Sequence, residues 1–175
     1  MADYHLAQIN VALANAPFDS PELAEFLEQV DAINAPADQS PGFIWRLQTP
    51  EGNTTGVRIN DDDRLFVNLT VWESVEALRE YAYRSGHIDV MRRRKEWFVP
   101  YGSNYLAMWW VPAVTLPTVD EGLARIEYID EYGASAHAFG FRQQFPPESQ
   151  GSTARRLATI DGSASGSGDD DSDSD

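Results

Sequence analysis

The sequence predicts an α+β domain of the ferredoxin-like type, a split βαβ sandwich whose antiparallel sheet carries helices on one face. Three observations lead to this fold class. Short segments with apolar residues at every second position predict strands, and capped segments with apolar residues at every third or fourth position predict helices. The two kinds follow each other as strand, helix, strand, strand, helix, strand. A further helix is predicted near the C-terminal end of the domain.

The first half of the chain accounts for three strands and one helix. Residues His5 to Ala12 alternate between two faces, as a strand does. A helix is expected to begin at Ser20 and Pro21, which are typical N-cap and first-turn residues. Its apolar stripe comprises Leu23, Phe26, Leu27, Val30 and Ile33. The next two strands are predicted at Phe43 to Leu47, continued by Thr55 to Ile59, and at Arg64 to Trp72.

The second half adds two helical regions and one strand. Ser74 is expected to cap a helix that runs to Tyr83, and Gly86 separates it from a second helical piece at His87 to Phe98. The remaining elements are a strand at Asn104 to Val111, a helix opened by the capping box Thr118-Val119-Asp120-Glu121 and ended by Gly133, and a short extended segment at Phe139 to Phe145.

Four tryptophans on predicted strands bear on the assembly of the domain. Trp45, Trp72, Trp109 and Trp110 indicate that the second face of the sheet is buried. Pairing two sheets across a two-fold axis buries such a face, so we expect a homodimer that forms a dimeric α/β barrel.

Composition excludes several functional classes. The 175 residues include no cysteine, which excludes disulfides, cysteine-ligated metals and a thiol nucleophile. No apolar run has the length of a membrane span, and Met1 to Tyr4 lack the basic and apolar regions of a secretory signal. We therefore expect a soluble cytoplasmic protein with no membrane partner.

The charge balance argues against a nucleic-acid partner. The chain carries 28 acidic residues against 13 basic ones, a formal net charge of −15, and such a surface repels phosphate. Two interpretations of the acidity stay open. One is a solubilising surface, and the other is halophilic adaptation, in which a salty cytoplasm screens the self-repulsion.

A change in composition predicts where the folded domain ends. Residues 1–150 are expected to form the ferredoxin-like α/β-barrel domain. Residues 151–175 are rich in Gly, Ser and Asp, so a disordered acidic tail is predicted there. A solvating appendage and a partner-binding tail are both compatible with this composition.

Several short motifs occur in register along the chain. They are Leu6-Ala7-Gln8-Ile9-Asn10, Trp72-Glu73-Ser74, Tyr83-Arg84-Ser85-Gly86-His87, Arg94-x-Glu96-Trp97-Phe98, Trp109-Trp110-Val111-Pro112 and Ala138-Phe139-Gly140-Phe141-Arg142. With these motifs the chain resembles the family catalogued as domain of unknown function 3291, within the dimeric α/β-barrel superfamily that includes antibiotic-biosynthesis monooxygenases. The resemblance covers about Leu6 to Pro147 and implies a fold and a cavity, with no assigned reaction.

His87 has three interpretations. It is a helix-start residue that satisfies backbone groups, or a general acid/base that lines a cavity. The third interpretation is an axial ligand to haem iron, which requires an apolar cleft of porphyrin size. No pair of histidines lies at metal-ligand spacing, so no metal site is predicted, and the expected cofactor is none, with haem as the alternative.

The basic run that includes Arg94 reverses the charge of this acidic chain locally. Its residues are Arg92, Arg93, Arg94 and Lys95. One interpretation is a solvated face that pairs with neighbouring acids such as Glu96. In the other, Arg94 lies on the same helix face as His87 and binds an anionic oxygen of a ligand.

Polar residues inside apolar strands mark a second candidate feature. Gln8 and Asn10 share one face of their strand, and so do Asn68 and Thr70. Because a buried unpaired amide is costly, these side chains need partners or a wet cavity. They either form a network that fixes the dimer register or orient a planar ligand, with tryptophans stacking on it.

These features predict a small-molecule enzyme or binder of the monooxygenase-like barrel type. Its ligand would be a planar, oxygenated, apolar compound that reacts without a metal. His87 and Arg94 are the candidate catalytic residues, and the candidate substrate-binding residues are Asn10, Asn68, Trp72 and Trp97. The alternatives are a haem-binding barrel with His87 as ligand and a non-catalytic ligand-binding or interaction barrel.

Overall fold

The computed structural model describes residues 4–50, 62–84, 92–102 and 104–147, with only the backbone described at residues 31–36 and at Arg84. The chain divides into two units, Met1–Phe145 and Pro146–Asp175. The first unit contains the sheet and the helices that follow here. The predicted tail at 151–175 lies outside the described residues, as do the predicted strand extension at 55–59 and the start of the second helical piece at 87–91.

An antiparallel sheet of five strands forms the centre of the first unit. The strands are β1 (Tyr4–Ala14), β2 (Phe43–Arg46), β3 (Leu65–Trp72), β4 (Phe98–Val99) and β5 (Leu106–Pro112). β1 is the central strand, because it pairs with β3 on one side and with both β5 and the short β4 on the other, and β2 pairs with the far side of β3. This order confirms the predicted ferredoxin-like α+β class.

Two helices pack on the face of the sheet that carries Leu6, Gln8 and Asn10, here called the helix face. Helix α1 (Ala24–Ala37) follows a 3₁₀ turn at Pro21–Leu23, and helix α2 is Val75–Arg84. Each helix covers an apolar cluster at one end of this face. The α1 cluster comprises Ala14, Phe18, Leu23, Phe26, Val30 and Trp97, and the α2 cluster comprises Leu6, Trp72, Val75, Leu78, Met108 and Phe139.

Helix α3 (Val119–Tyr132) packs on the opposite face of the sheet. Its residue Ile126 joins a cluster with Ala7, Ile9, Val11, Val67, Leu69, Ala107, Trp109 and Val111. We expected a partner chain to bury this face, and the added helix already covers the part of it formed by β5, β1 and β3. The dimer stays a prediction. The four strand tryptophans also divide between the two faces: Trp45 and Trp109 contact the α3 cluster, and Trp72 and Trp110 contact the α2 cluster.

The helix starts agree with the sequence in part. The hydroxyl of Ser74 accepts a hydrogen bond of 3.1 Å from the Ala77 amide, as predicted. Ser20 occupies the N-cap position of the 3₁₀ turn, but its buried hydroxyl makes no cap hydrogen bond. Thr118 accepts from the Glu121 amide at 3.2 Å, whereas the carboxylate of Glu121 accepts the indole N–H of Trp109 at 3.0 Å. Half of the predicted capping box is thus used to hold α3 against the sheet.

The region after α2 differs most from the sequence-based assignment. Arg94–Glu96 form a 3₁₀ turn, and Phe98 belongs to β4, where it pairs with Ala14. The ring of Phe98 lies 4.8 Å from that of Phe26, edge to face, so aromatic packing against α1 favours the strand. Among the helices that the structure describes, none is both long and apolar enough to cross a membrane.

Candidate functional site

The candidate site is a row of polar side chains on the helix face, between the α1 and α2 clusters. The strand register places Gln8 opposite Thr70 and Asn10 opposite Asn68. All four side chains therefore project from the same face. The alternate spacing predicted the shared face within each strand, and the register between the strands brings the two sets together. The row brings together two of the predicted site residues, Asn10 and Asn68.

The row forms a continuous hydrogen-bonded chain that begins at Trp72. The indole N–H of Trp72 donates to the Thr70 hydroxyl at 2.9 Å, and that hydroxyl donates to Oε1 of Gln8 at 2.9 Å. Nε2 of Gln8 then donates to Oδ1 of Asn10 at 3.0 Å. Nδ2 of Asn68 donates to the same oxygen, also at 3.0 Å. Three of the six predicted site residues, Asn10, Asn68 and Trp72, thus belong to one network.

Burial decreases along this chain. Trp72 is fully buried, and Gln8 and Thr70 are 4% and 6% exposed, whereas Asn10 and Asn68 are half-buried. Leaving a buried polar group without a partner costs about 1–3 kcal/mol, so the pairing of Gln8 and Thr70 contributes to the stability of the fold. The two asparagines form the accessible end of the network, where a ligand can meet it.

Aromatic rings enclose the buried end. The ring of Tyr81 on α2 stacks on Trp72, with centroids 5.1 Å apart and planes inclined by 29°. Phe43 meets Trp72 edge to face at 5.2 Å. The Trp72 indole is therefore held on two sides by protein rings, and its N–H points along the polar row.

An ion pair between a buried arginine and an exposed aspartate lies beside the row at the β2 edge. Arg46 pairs with Thr70 in the strand register and is only 9% exposed. Its guanidinium donates two hydrogen bonds to Asp38, at 2.8 Å from Nε and 3.2 Å from Nη2. This bidentate contact compensates the charge of a buried arginine.

The phenol of Tyr81 is electrostatically linked to that ion pair. Burial raises the pKa of Tyr81 to about 12, the nearby Arg46 acts in the opposite direction, and Asp38 adds to the increase. The hydroxyl of Tyr81 therefore stays protonated at neutral pH. Sequence analysis did not select Arg46, Asp38 or Tyr81, because their spacing along the chain shows no motif. The only available signal was an arginine within an otherwise apolar strand.

Arg94 and Trp97 lie at the other end of the helix face. Trp97 is 3% exposed and belongs to the α1 cluster. Arg94 is exposed, with its guanidinium 5.5 Å from the ring centroid of Tyr105. The backbone carbonyl of Tyr105 accepts from the amide of Val11, the residue after Asn10. The backbone of Tyr105 therefore adjoins β1 next to Asn10, but among the described residues Arg94 makes no hydrogen bond to the polar row.

Arg93 forms ion pairs with neighbouring acids, as one interpretation of the basic run predicted. This confirms that interpretation for Arg93 alone. Its guanidinium donates to Glu96 at 2.7 and 3.0 Å and to Glu25 of α1 at 2.6 and 3.0 Å. It also lies 4.7 Å from the Trp97 ring centroid. Hydrogen bonds from Arg93 lower the pKa of both carboxylates. This arginine links α1 to the turn before β4.

His87 lies outside the described residues, so its three interpretations stay predictions. The cofactor prediction, none with haem as the alternative, depends on the same residue. In the part of the chain that the structure describes, no three His, Asp or Glu side chains are grouped as a metal site would require.

Comparisons with solved structures give weak similarities. SnoaB, a cofactor-independent oxygenase from Streptomyces nogalater, is 18% identical over 65% of this chain and 98% of its own, with a TM-score of 0.45. The PA3566 protein of Pseudomonas aeruginosa is 17% identical over 66% of this chain and 99% of its own, with a TM-score of 0.44. The heme-degrading protein Rv3592 of Mycobacterium tuberculosis is 21% identical over 65% and 98% of the two chains, with a TM-score of 0.33. Similarity at this level transfers no activity.

Comparison with curated proteins gave no match. The comparison with family models is more specific. One family model, that of a domain of unknown function, matches residues 5–155 and so spans the sheet, the three helices and the polar row. The chain therefore belongs to the DUF3291 family.

Proposed function

We propose that this protein binds a planar, oxygenated, largely apolar compound at Asn10 and Asn68 and oxygenates or rearranges it without a metal. The observation that carries the proposal is the polar row itself. A hydrogen-bonded chain of five side chains runs between two apolar clusters, and its accessible end is a pair of amides. Binding sites for small apolar ligands combine apolar walls with a few fixed polar groups in this way.

The proposed oxygenation has a simple balance. A base removes a proton from an enol or phenol, and the resulting enolate transfers electrons to O₂ as a carbon–oxygen bond forms. Loss of water from the hydroperoxide leaves a new carbonyl, so the substrate loses two hydrogens and gains one oxygen while O₂ provides the oxidant. Hydrogen-bond donors near the enolate oxygen lower the barrier, because they stabilise the charge that develops there.

The roles proposed for individual residues follow from chemistry and position. Asn10 and Asn68 orient the oxygens of the ligand. His87 acts as the base, since an imidazole titrates near neutral pH. Arg94 stabilises the enolate, because a guanidinium can hold an anionic oxygen through two hydrogen bonds. Trp72 and Trp97 are buried in the clusters at the two ends of the row, so their proposed role is to support the site and not to stack on the ligand.

The proposal is tested by oxygen uptake with a panel of planar phenols and enolisable ketones, and by mass analysis of the products. A substrate should consume one O₂ per new carbonyl. Replacing Asn68 with Ala should lower kcat/KM by roughly 10²-fold, because one of the two amides that orient the ligand is lost.

Matched variants separate catalysis from binding. His87→Ala and Arg94→Gln should abolish or strongly reduce turnover, whereas Arg92→Gln, at an exposed arginine of the same run, should not. Binding of panel compounds without any turnover, and with affinities unaffected by His87→Ala, would instead identify a non-catalytic ligand-binding barrel.

The proposed assembly is a homodimer. Helix α3 packs against β5, β1 and β3, but Trp45, Leu47 and Leu65 at the β2–β3 side of the same face are only partly buried. A second copy of the chain placed on this side would remove these apolar side chains from water.

A further inference from the structure

We propose that Thr70 and Gln8 are positioning residues, which fix the amides at the accessible end of the row so that Asn10 presents a hydrogen-bond donor and Asn68 an acceptor to the ligand. The inference rests on the proposed binding site but needs no turnover. It also defines the ligand: a flat compound with an acceptor and a donor on one edge. The argument follows the direction of each hydrogen bond from the buried end outward.

The direction of the chain is set by Trp72. An indole N–H donates and never accepts, so the Thr70 hydroxyl must be the acceptor of this bond. Its own proton then goes to Oε1 of Gln8. That bond fixes the orientation of the Gln8 amide, whose Nε2 is left to face Asn10. The indole therefore determines an amide orientation two side chains away.

The same logic continues through the two asparagines. Because Nε2 of Gln8 is a donor, the atom of Asn10 that meets it must be the oxygen. The same oxygen accepts from Nδ2 of Asn68. The atoms left over are Nδ2 of Asn10 and Oδ1 of Asn68, and neither has a hydrogen-bond partner among the described residues. A donor and an acceptor are thus available on the two half-buried side chains.

Reversing the direction of the hydrogen bonds in the polar row is unfavourable. If the Asn10, Asn68 and Gln8 amides all rotated by half a turn, Nε2 of Gln8 would face the Thr70 hydroxyl. That oxygen would then accept two hydrogen bonds, and its proton would lose the acceptor it now has, at a site that is 6% exposed. Burying an unsatisfied donor is costly, so the network favours one polarity.

The ligand must complement this polarity. An oxygen or nitrogen that accepts from Asn10 has to lie beside an O–H or N–H that donates to Asn68. A lactam edge and the enol of a dicarbonyl compound both meet this requirement, and an aromatic ether does not. A ligand without the donor covers Oδ1 of Asn68 and leaves it unpaired, so the site discriminates against such a ligand.

The first test uses two substitutions that are nearly isosteric. In Asn10→Asp a carboxylate oxygen still accepts from Gln8 and Asn68, so the network is retained. In Asn68→Asp the donor to Asn10 is lost and two oxygens face each other. In urea unfolding, Asn68→Asp should increase the equilibrium constant for unfolding more than Asn10→Asp does, by roughly tenfold or more. Equal losses of stability in the two variants, or a larger loss in Asn10→Asp, would contradict the assignment of a donor to Asn10 and an acceptor to Asn68.

The second test uses 2-quinolone, whose lactam edge carries an N–H beside a C=O, and 1-methyl-2-quinolone, which lacks the donor. Isothermal titration should show tighter binding of 2-quinolone by roughly tenfold. Thr70→Val removes the hydroxyl that links Trp72 to Gln8 and should reduce the preference for 2-quinolone. Thr70→Ser keeps the hydroxyl and should retain that preference. A purely structural Thr70 would change stability and leave the preference intact.

The other possible results of the quinolone titrations also support or contradict the inference. Equal binding of the two quinolones, or binding of neither, contradicts the proposed ligand class. If Thr70→Val does not fold, the preference is measured in Asn68→Ala, where the acceptor of the quinolone N–H is gone and 2-quinolone should lose its advantage over 1-methyl-2-quinolone. Absence of oxygenase turnover affects none of these measurements, so failure of the proposed reaction and failure of this inference are distinguishable.

Discussion

The indole N–H of Trp72 donates a 2.9 Å hydrogen bond to the hydroxyl of Thr70, two residues earlier on the same strand. Both residues are buried, and the same hydroxyl donates to Gln8 on the neighbouring strand. One side chain thus satisfies a tryptophan on its own strand and an amide on the next. The stability of the sheet and the order of the polar row depend on this hydroxyl.

The first prediction concerns the contribution of that hydroxyl to the free energy of unfolding. Thr70→Val keeps the shape of the side chain but leaves the Trp72 N–H and Oε1 of Gln8 without this partner. We expect the free energy of unfolding to fall by about 1–3 kcal/mol. Thr70→Ser keeps both hydrogen bonds and should cost less than Thr70→Val. Urea denaturation followed by tryptophan fluorescence measures both, and equal losses for the two variants would contradict the role of the hydroxyl.

The second prediction concerns the contact of α3 with the sheet. A methyl group at Gly122 would lie 2.5 Å from Cδ1 of Ile9 and 3.2 Å from its Cβ. Overpacking of this kind costs about 1–3 kcal/mol, whereas the gain in helix propensity is about 1 kcal/mol. Gly122→Ala should therefore destabilise the protein on balance.

A double-mutant cycle checks that explanation. Ile9→Val removes Cδ1, so Gly122→Ala should cost less in the Ile9→Val background than in the wild type. Additive losses in urea unfolding would show that Ile9 is not the obstacle.

The sequence allowed most of the fold to be predicted, because alternation and capping are local signals. The strand pattern around Ile9 and the helix start at Ser74 are examples that the structure confirms. The strand position of Phe98 was missed, since its pairing with Ala14 joins segments far apart in the chain. The division of the tryptophans was only partly hidden, because Trp109 and Trp110 are adjacent in β5 and must point to opposite faces. The faces of Trp45 and Trp72 depend on the pairing of β2 with β3, whose register shifts between positions 43 and 45.

The candidate site was predictable in part for similar reasons. Asn10 and Asn68 stood out as polar residues within apolar strands, and their contact follows from the pairing of β1 with β3. Arg46 and Tyr81 approach each other only through the packing of α2 on the sheet. No local pattern in the chain contains that information.

The third prediction is a pH dependence at Arg93. Its hydrogen bonds lower the pKa of Glu25 and Glu96 below the ordinary value of 4.5. A carboxylate whose pKa is depressed in the folded state stabilises the protein above its unfolded pKa, and that contribution is lost as the pH falls through the folded pKa. Arg93→Gln should therefore lower the melting temperature at pH 7, and its difference from the wild type should shrink as the pH is lowered from about 4.5.

The control for this prediction is Arg79→Gln, at an exposed arginine of α2. We expect it to have a smaller effect at pH 7. Salt provides a second check, because the ion pairs of Arg93 are exposed and therefore screened. A difference between Arg93→Gln and the wild type that is the same at pH 7 and well below 4.5 would show that packing on Trp97, and not charge, is responsible.

The last prediction concerns the dimer. Trp45 lies on the α3 face of the sheet and is only partly buried in the single chain, as is Leu47. An aromatic side chain contributes about 150–250 Å² to an interface, and a stable interface buries about 800 Å² on each partner. Light scattering at micromolar concentration should give about twice the chain mass of 19.5 kDa. Trp45→Glu should shift the mass toward that of one chain, because it places a charge at the interface. Val114→Glu, at a residue that is 97% exposed, should leave the mass unchanged. If the wild type has the mass of one chain at micromolar concentration, a dimer formed through this face of the sheet is excluded.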